Sequence, residues 1–125
     1  MDTARQIDED KTLLAQAEGF LRTTFGFDGF RDGQAEVVEA VLRGEDVLAV
    51  MPTGAGKSLC YQLPALLRSG VTVVVSPLIS LMHNQVAQLE GFGVCAATLN
   101  SSIEFDEYKR VMGLLESGEL RLLYV

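Results

Sequence analysis

Apolar side chains recur with the period of an α-helix in five segments of the chain, and short apolar runs lie between the later ones. The predicted helices are 10–25, 34–43, 58–68, 78–90 and a segment that ends at Gly118. The apolar runs 46–51, 71–76, 94–99 and 120–125 have the length and composition of strands. Because strands and helices alternate from residue 46 onward, the pattern predicts an α/β fold with a parallel sheet flanked by helices.

Glycine, proline and capping residues indicate where these elements end. Gly44 and Gly118 are expected as C-terminal glycines of helices, and Pro64 is expected to kink the third helix. Ser101 and Glu104 have the spacing of a capping box at the start of the last helix. The run DVLAVM (46–51) is continuously apolar after Asp46, which is typical of a strand buried on both faces of a parallel sheet.

Composition limits the class of protein. The 125 residues are 48% hydrophobic and 22% charged, as in one small globular domain. There is no apolar run of membrane-spanning length, and residues 1–10 do not have the pattern of a signal peptide, so a soluble, cytoplasmic protein without a membrane partner is predicted (nucleoid-associated if bacterial). The two cysteines lack CxxC spacing, so neither a disulfide framework nor a zinc site is expected. A net charge of −7 argues against a broad basic surface but permits a local nucleic-acid groove.

The stretch AVMPTGAGKSLCYQ, residues 49–62, has the composition of a phosphate-binding loop. Gly54 and Gly56 allow the chain to turn tightly after a strand, and backbone N–H groups at the start of the next helix favour an anion. Lys57 adds a positive charge, and the Ser58 hydroxyl can bind Mg²⁺. The strict pattern G-x-x-x-x-G-K-[ST] has Met51 at its first position, and a plain turn with an exposed lysine is the alternative.

Upstream of this loop, FGFDGFRDGQ (residues 25–34) places an aromatic ring, an arginine and a glutamine close together. Phe27 could stack on a base, and the Gln34 amide offers the donor and acceptor that adenine N6 and N7 require. A hydrophobic staple and an exposed helix start explain the same residues equally well.

Several motifs together resemble the first RecA-like domain of RecQ-family DNA helicases over residues 18–125. The family pattern F-G-[FY]-x-x-F-R-x-x-Q is met at residues 25–34, M-P-T-G-x-G-K-S-x-x-Y-Q at residues 51–62, and SPLISLMHNQV and LNSS match further family motifs. The resemblance implies a partial RecA-like P-loop NTPase domain that uses ATP and Mg²⁺. It implies catalytic roles for Lys57 and Ser58, with Ser58 holding the metal. The implied nucleotide-binding residues are Phe27, Arg31, Gln34, Thr53, Gly54, Ala55, Gly56, Lys57 and Ser58.

The same resemblance implies contacts to single-stranded DNA. SPLISLMHNQV corresponds to the family's motif Ia, and its serines and helix amides could hold phosphates without reading base identity. The implied DNA-binding residues are Ser76, Pro77, Ser80, Asn100 and Ser101. Helix capping and a simple turn are the alternatives, and His83 is interpreted as a solvated helix residue.

An acidic motif that would hold Mg²⁺ and position the attacking water does not follow any predicted strand. In the RecQ family this Walker B motif lies downstream, so the chain is interpreted as a helical extension (1–17) and a partial ATP-binding domain (18–125). The parent is predicted to be an ATP-dependent DNA helicase that translocates 3′ to 5′ on single-stranded DNA and unwinds partly duplex DNA, in DNA repair and recombination. The fragment is predicted to be inactive. The alternatives are a DEAD-box-type RNA helicase, a non-catalytic ATP-binding module and, less well supported, a small-molecule kinase.

Overall fold

The computed structural model describes residues 3–52 and 56–125, without the side chains of residues 6 and 10. The contacts divide the chain into two compact units, residues 1–67 and 68–125. The first contains helices α1 (Thr3–Thr23), α2 (Gln34–Leu42) and α3 (Leu59–Leu67). The second contains β1 (Thr72–Val74), α4 (Ile79–Gly91), β2 (Ala96–Thr98), α5 (Phe105–Ser117) and β3 (Leu122–Tyr124).

The first unit is built from three helices packed against one another. Their buried faces carry Ala17, Leu21, Val38 and Leu63, which are almost completely shielded from solvent. Helix α1 begins at Thr3, earlier than the periodicity predicted. The added turns contain polar residues with good helix propensity and an Arg5–Glu9 ion pair, so they extend the helix without an apolar face.

The end of α2 follows the predicted glycine signal. Gly44 has a φ of 82°, its N–H donates to the Val41 carbonyl, and the Glu45 N–H donates to the Ala40 carbonyl. This is the Schellman arrangement, which satisfies the last carbonyls of the helix. Helix α3 continues through Pro64 to Leu67.

The first predicted strand, 46–51, is absent: the structure assigns no strand to these residues. The side chains of Leu48 and Val50 are 92% and 89% exposed, where burial on both faces was expected. A strand is defined by ladder hydrogen bonds to a neighbour, and an apolar run cannot by itself supply that neighbour.

The second unit contains a parallel three-stranded sheet of order β1-β3-β2. Strand β3 is central, and its residues Leu122, Leu123 and Tyr124 are buried. Helix α4 packs on β2, and Val111 of α5 joins a core cluster with Ala97 and Leu123. Because the strands are parallel, the segments that follow β1 and β2 leave the sheet at the same edge.

The predicted capping box at the start of α5 is wrong. The helix begins at Phe105, and Glu104 is the N-cap residue without a side-chain capping hydrogen bond. Asn100 organises the preceding turn instead, because its Oδ1 accepts the Ser102 N–H at 2.8 Å. Asparagine side chains commonly form such local turns, which compete with helix initiation. The Gly118 stop of α5 is confirmed, with a φ of 78°.

Candidate nucleotide-binding and nucleic-acid-binding sites

Gln34 connects the turn before α2 to the turn before α3. Its side chain is 1% exposed, its Nε2 donates to the Gly56 carbonyl at 3.0 Å, and its Oε1 accepts the Arg31 backbone N–H at 2.7 Å. A buried amide must find partners for both of its ends, and these two bonds meet that requirement. The upstream FGFDGFRDGQ segment and the glycine loop are therefore joined in space.

A cavity of about 140 Å³ lies at this junction. Its walls are formed by Phe27, Gly29, Arg31, Gln34, Gly56, Ser58 and Leu59. Five predicted nucleotide-binding residues therefore meet at one site, although the chain separates them by more than twenty positions. An aromatic ring, a guanidinium group and an amide beside a glycine turn can stack on a nucleobase and hydrogen-bond its edge. Thr53, Gly54 and Ala55, also predicted here, lie outside the described residues.

Gly56 forms part of the wall for a steric reason. Its φ is 77°, in the left-handed region, and a Cβ atom built on it would collide with Nε2 of Gln34. Only glycine combines this backbone conformation with the close approach of the Gln34 amide.

Lys57 and Ser58 occupy the turn that starts α3. The Ser58 carbonyl accepts the N–H of Gln62, so Ser58 already belongs to the first turn of the helix. Lys57 is exposed and lines a second cavity of about 380 Å³, together with Cys60, Tyr61 and apolar residues of the 46–51 segment. A lysine at a helix N-terminus provides a local positive charge for an anion. Burial raises the pKa of the Cys60 thiol, so this neighbour is neutral at physiological pH.

In the second unit, Ser76, Pro77 and Ser80 lie between β1 and the first turn of α4. The Ser76 Oγ accepts the Leu78 N–H at 3.3 Å, while Pro77 and Ser80 are exposed. The N-cap residue of α4 is Leu78, which makes no side-chain capping bond. The first N–H groups of an uncapped helix are available to an external acceptor such as a phosphate oxygen.

The turn after β2 lies beside the same helix. Asn100 Oδ1 also accepts a short hydrogen bond from Ser102 Oγ, and Asn100 Nδ2 lies 3.9 Å from Sδ of Met82 in α4. Ser102 Oγ lies 3.5 Å from Nε2 of His83. The structure thus brings Asn100 to the helix of SPLISLMHNQV, and Ser101 is exposed on the same turn.

Ser102 and the side-chain contact of His83 were missed in the sequence analysis. Ser102 was present within LNSS, but no spacing rule connects it with a residue nineteen positions earlier. The contact follows from the parallel crossover, which returns the end of β2 to the edge where α4 begins.

Within the described parts of the chain, no three His, Cys, Asp or Glu side chains lie close enough together to hold a metal ion. Also within those residues, no helix has both the length and the apolar character needed to cross a membrane.

Known helicases are similar to this chain in sequence. The sequence profile of the DEAD/DEAH box helicase family matches residues 31–125. Proteins named "ATP-dependent DNA helicase RecQ" from Pasteurella multocida and Haemophilus influenzae are 55% and 54% identical over 125 and 105 residues. These alignments cover 99% and 84% of this chain but only 20% and 17% of the relatives. The chain thus spans about a fifth of their length, and the predicted resemblance to RecQ helicases is confirmed.

Proposed function

The chain belongs to the DEAD/DEAH box helicase family, and we propose that it forms the nucleotide-binding part of an ATP-dependent DNA helicase. The observation that carries this proposal is the cavity in which Phe27, Arg31 and Gln34 meet Gly56 and Ser58 of the glycine loop. This arrangement joins a base-recognition segment to a phosphate-binding turn. The names of the relatives, which specify ATP and DNA, support the same assignment.

We assign the parts of ATP to separate residues. The exposed ring of Phe27 stacks on adenine, Gln34 hydrogen-bonds the edge of the base, and Arg31 closes the pocket. Lys57 neutralises phosphate charge, and the Ser58 hydroxyl would be one of the ligands of Mg²⁺. Hydrolysis of the bound ATP supplies the free energy for movement on DNA in the protein as a whole.

The bonds of Gln34 couple base recognition to the loop. Both ends of its amide are already engaged, by the Arg31 N–H and the Gly56 carbonyl. Recognition of adenine by this amide requires those bonds to be exchanged or shared. The side chain that recognises the base is therefore the same one that is tied to the phosphate-binding turn.

The proposed DNA contacts lie in the second unit, at Ser76, Pro77, Ser80, Asn100 and Ser101. The hydroxyl, amide and helix N–H groups there donate to phosphate oxygens and do not select a base sequence. This suits an enzyme that moves along any single strand. DNA is favoured over RNA because the segment after β1 reads PLISL, where the DEAD-box RNA helicases have P-T-R-E-L-A.

The nucleotide site is tested by competition. A fluorescent ATP analogue bound to the chain is displaced by ATP much more effectively than by GTP, because Gln34 offers the donor and acceptor pattern of adenine. Phe27→Ala and Lys57→Ala each weaken binding of the analogue. The matched control is Phe92→Ala, which removes an exposed aromatic ring from the C-cap of α4.

Equal displacement by ATP and GTP would refute the adenine pocket. Unchanged affinity in the Lys57→Ala variant, with the circular dichroism spectrum preserved, would show that Lys57 does not bind the phosphates.

A further inference from the structure

An exposed aromatic pair marks the first turn of α5. Phe105 is 71% exposed and Tyr108 is 45% exposed. Their ring centroids are 6.3 Å apart with an interplanar angle of 16°, and Lys109 Nζ lies 5.4 Å from the centroid of Phe105. Two nearly parallel rings, with the Lys109 ammonium over one of them, form an aromatic surface that is open to solvent.

This pair borders a cavity of about 430 Å³. Its walls are formed by Leu99, Asn100, Ile103, Glu104, Phe105 and Tyr108. One wall is therefore the Asn100 turn already proposed to contact DNA, and the opposite wall is aromatic. The cavity shares Asn100 with the proposed phosphate contacts.

We propose that Phe105 and Tyr108 form a stacking platform for one unpaired base of a nucleic-acid single strand, whose backbone passes over the Asn100–Ser102 turn. This inference rests on the proposed function and adds a base contact to it. Stacking on aromatic side chains is sequence-tolerant, since every base has a flat face. Such a contact adds affinity without restricting where a helicase can move.

The charged groups around the platform favour the base at one place and the phosphate at another. The Glu107 carboxylate is paired with Arg110, with 2.6 Å between Oε1 and Nη2, so its charge is largely compensated. Glu104 lines the cavity, where its carboxylate repels phosphate but accepts hydrogen bonds from base amino groups. The Lys109 ammonium lies over the Phe105 ring, where it attracts phosphate, and the polar Asn100 turn borders the cavity, where the backbone would pass.

The turn is also linked to the helix that follows β1. Ser102 Oγ approaches His83 Nε2 in α4, and Asn100 Nδ2 approaches Sδ of Met82 in the same helix. The platform, the Asn100 turn and the start of α4 therefore form one surface of the second unit. A strand bound at Asn100 reaches the platform through the cavity that Asn100 shares with Phe105 and Tyr108.

The test uses the full chain and a fluorescein-labelled oligothymidylate, with affinity measured by fluorescence anisotropy. Phe105→Leu and Tyr108→Leu keep an apolar side chain but lose the ring, and each weakens binding about tenfold. Tyr108→Phe retains the platform and restores near wild-type affinity. The matched control Phe92→Leu removes another exposed ring of the same unit and leaves affinity unchanged.

Tyrosine emission gives a readout that a purely structural effect would not reproduce. The chain contains no tryptophan, so its three tyrosines can be observed directly, and Tyr124 is buried. Stacking of a base on Tyr108 quenches part of this emission on addition of the oligonucleotide. The quenched part is lost in Tyr108→Phe, although this variant still binds.

The outcomes distinguish the platform from the function on which it rests. Weakened binding in both leucine variants together with tyrosine quenching supports the platform. If the oligonucleotide binds but Phe105→Leu and Tyr108→Leu match the wild type, the platform is refuted and the DNA contacts at Ser76 and Asn100 stand. If the chain binds the ATP analogue but no oligonucleotide, both the platform and the DNA assignment of this surface are overturned.

Discussion

At the scale of single residues, Gly56 and Gln34 show how one hydrogen bond and one missing Cβ organise a ligand site. The Gly56 carbonyl accepts from Nε2 of Gln34, and the space beside its Cα is filled by the same amide. Backbone conformation and side-chain packing therefore both require glycine at this position. The two requirements can be separated by comparison with another glycine of positive φ.

Gly56→Ala is expected to lower the free energy of unfolding more than Gly44→Ala does. Both residues have φ near 80°, but a Cβ on Gly44 would have nothing within 4 Å. Left-handed strain alone costs about 1–2 kcal/mol, which is the expected loss in the unfolding free energy of Gly44→Ala. Gly56→Ala adds displacement of the Gln34 amide, so it further lowers the unfolding free energy and weakens binding of the ATP analogue.

Urea unfolding and analogue titration of both variants measure this difference. The prediction is contradicted if the two variants lose the same stability and Gly56→Ala binds the analogue with wild-type affinity. The hydrogen bond between Gln34 and Gly56 would then have no part in the pocket.

At the scale of secondary-structure elements, helix α5 packs Val111, Leu114 and Leu115 on the core cluster and is further stabilised at its C-terminus and by a surface ion pair. Among its residues only Val111 is fully buried. Gly118 ends the helix in the left-handed conformation, and Glu107 and Arg110 pair on its surface. The hydrogen bond from Arg110 lowers the pKa of the Glu107 carboxyl.

This pair predicts a small, pH-dependent contribution to stability. A lowered pKa in the folded state means that the contribution is present above the ordinary pKa of glutamate and is lost as the pH falls through the folded value. Glu107→Gln is expected to cost about 0.3 kcal/mol at neutral pH, since the pair is half-exposed and screened by solvent.

Urea unfolding at neutral pH and in buffer more acidic than the ordinary glutamate range measures this contribution, with Glu116→Gln on the same helix as the control. The difference from wild type should vanish in the acidic buffer. A difference of the same size at both pH values would show that the ion pair is not its source.

At the scale of the whole molecule, several apolar side chains are exposed to solvent. Leu48 and Val50 lie in the segment that forms no strand, and Val73 and Val75 are exposed at and just beyond β1, an edge strand. Exposed apolar residues beside unpaired strand edges favour association between molecules.

Val50→Lys and Val75→Lys are expected to reduce self-association, measured by light scattering as a function of protein concentration. Each change moves the net charge from −7 toward zero, which by itself would favour association. Reduced scattering would therefore report the loss of an apolar contact. The control Gln88→Lys adds the same charge at an exposed polar position of α4.

Unchanged light scattering in both valine variants would show that Val50 and Val75 do not mediate self-association.

Some of the fold follows from local rules that are visible in the sequence. A helix face repeats every three to four residues, and the cores of α2 and α4 follow that period. Glycine at a helix end has a local conformational reason, so Gly44 and Gly118 were predicted correctly. The sequence also placed Phe27, Arg31 and Gln34 beside one another, and the structure joins them to Gly56 in one cavity.

What failed depended on partners distant in the chain. The run 46–51 has the composition of a strand, but a strand also needs a neighbouring strand to pair with, and composition does not identify one. The capping box at Ser101 failed because Asn100 made a competing local bond. The exposure of the Phe105–Tyr108 pair was not predicted, since it depends on how α5 packs on the sheet.

By itself, the sequence determined the five helices and three of the four proposed strands, because these depend on neighbours a few residues apart. The strand order β1-β3-β2, the bond from Gln34 to Gly56 and the cavity beside Phe105 were decided only by the tertiary structure. The physical reason is that each of these features joins groups far apart in the chain, whose meeting depends on packing and pairing of whole elements.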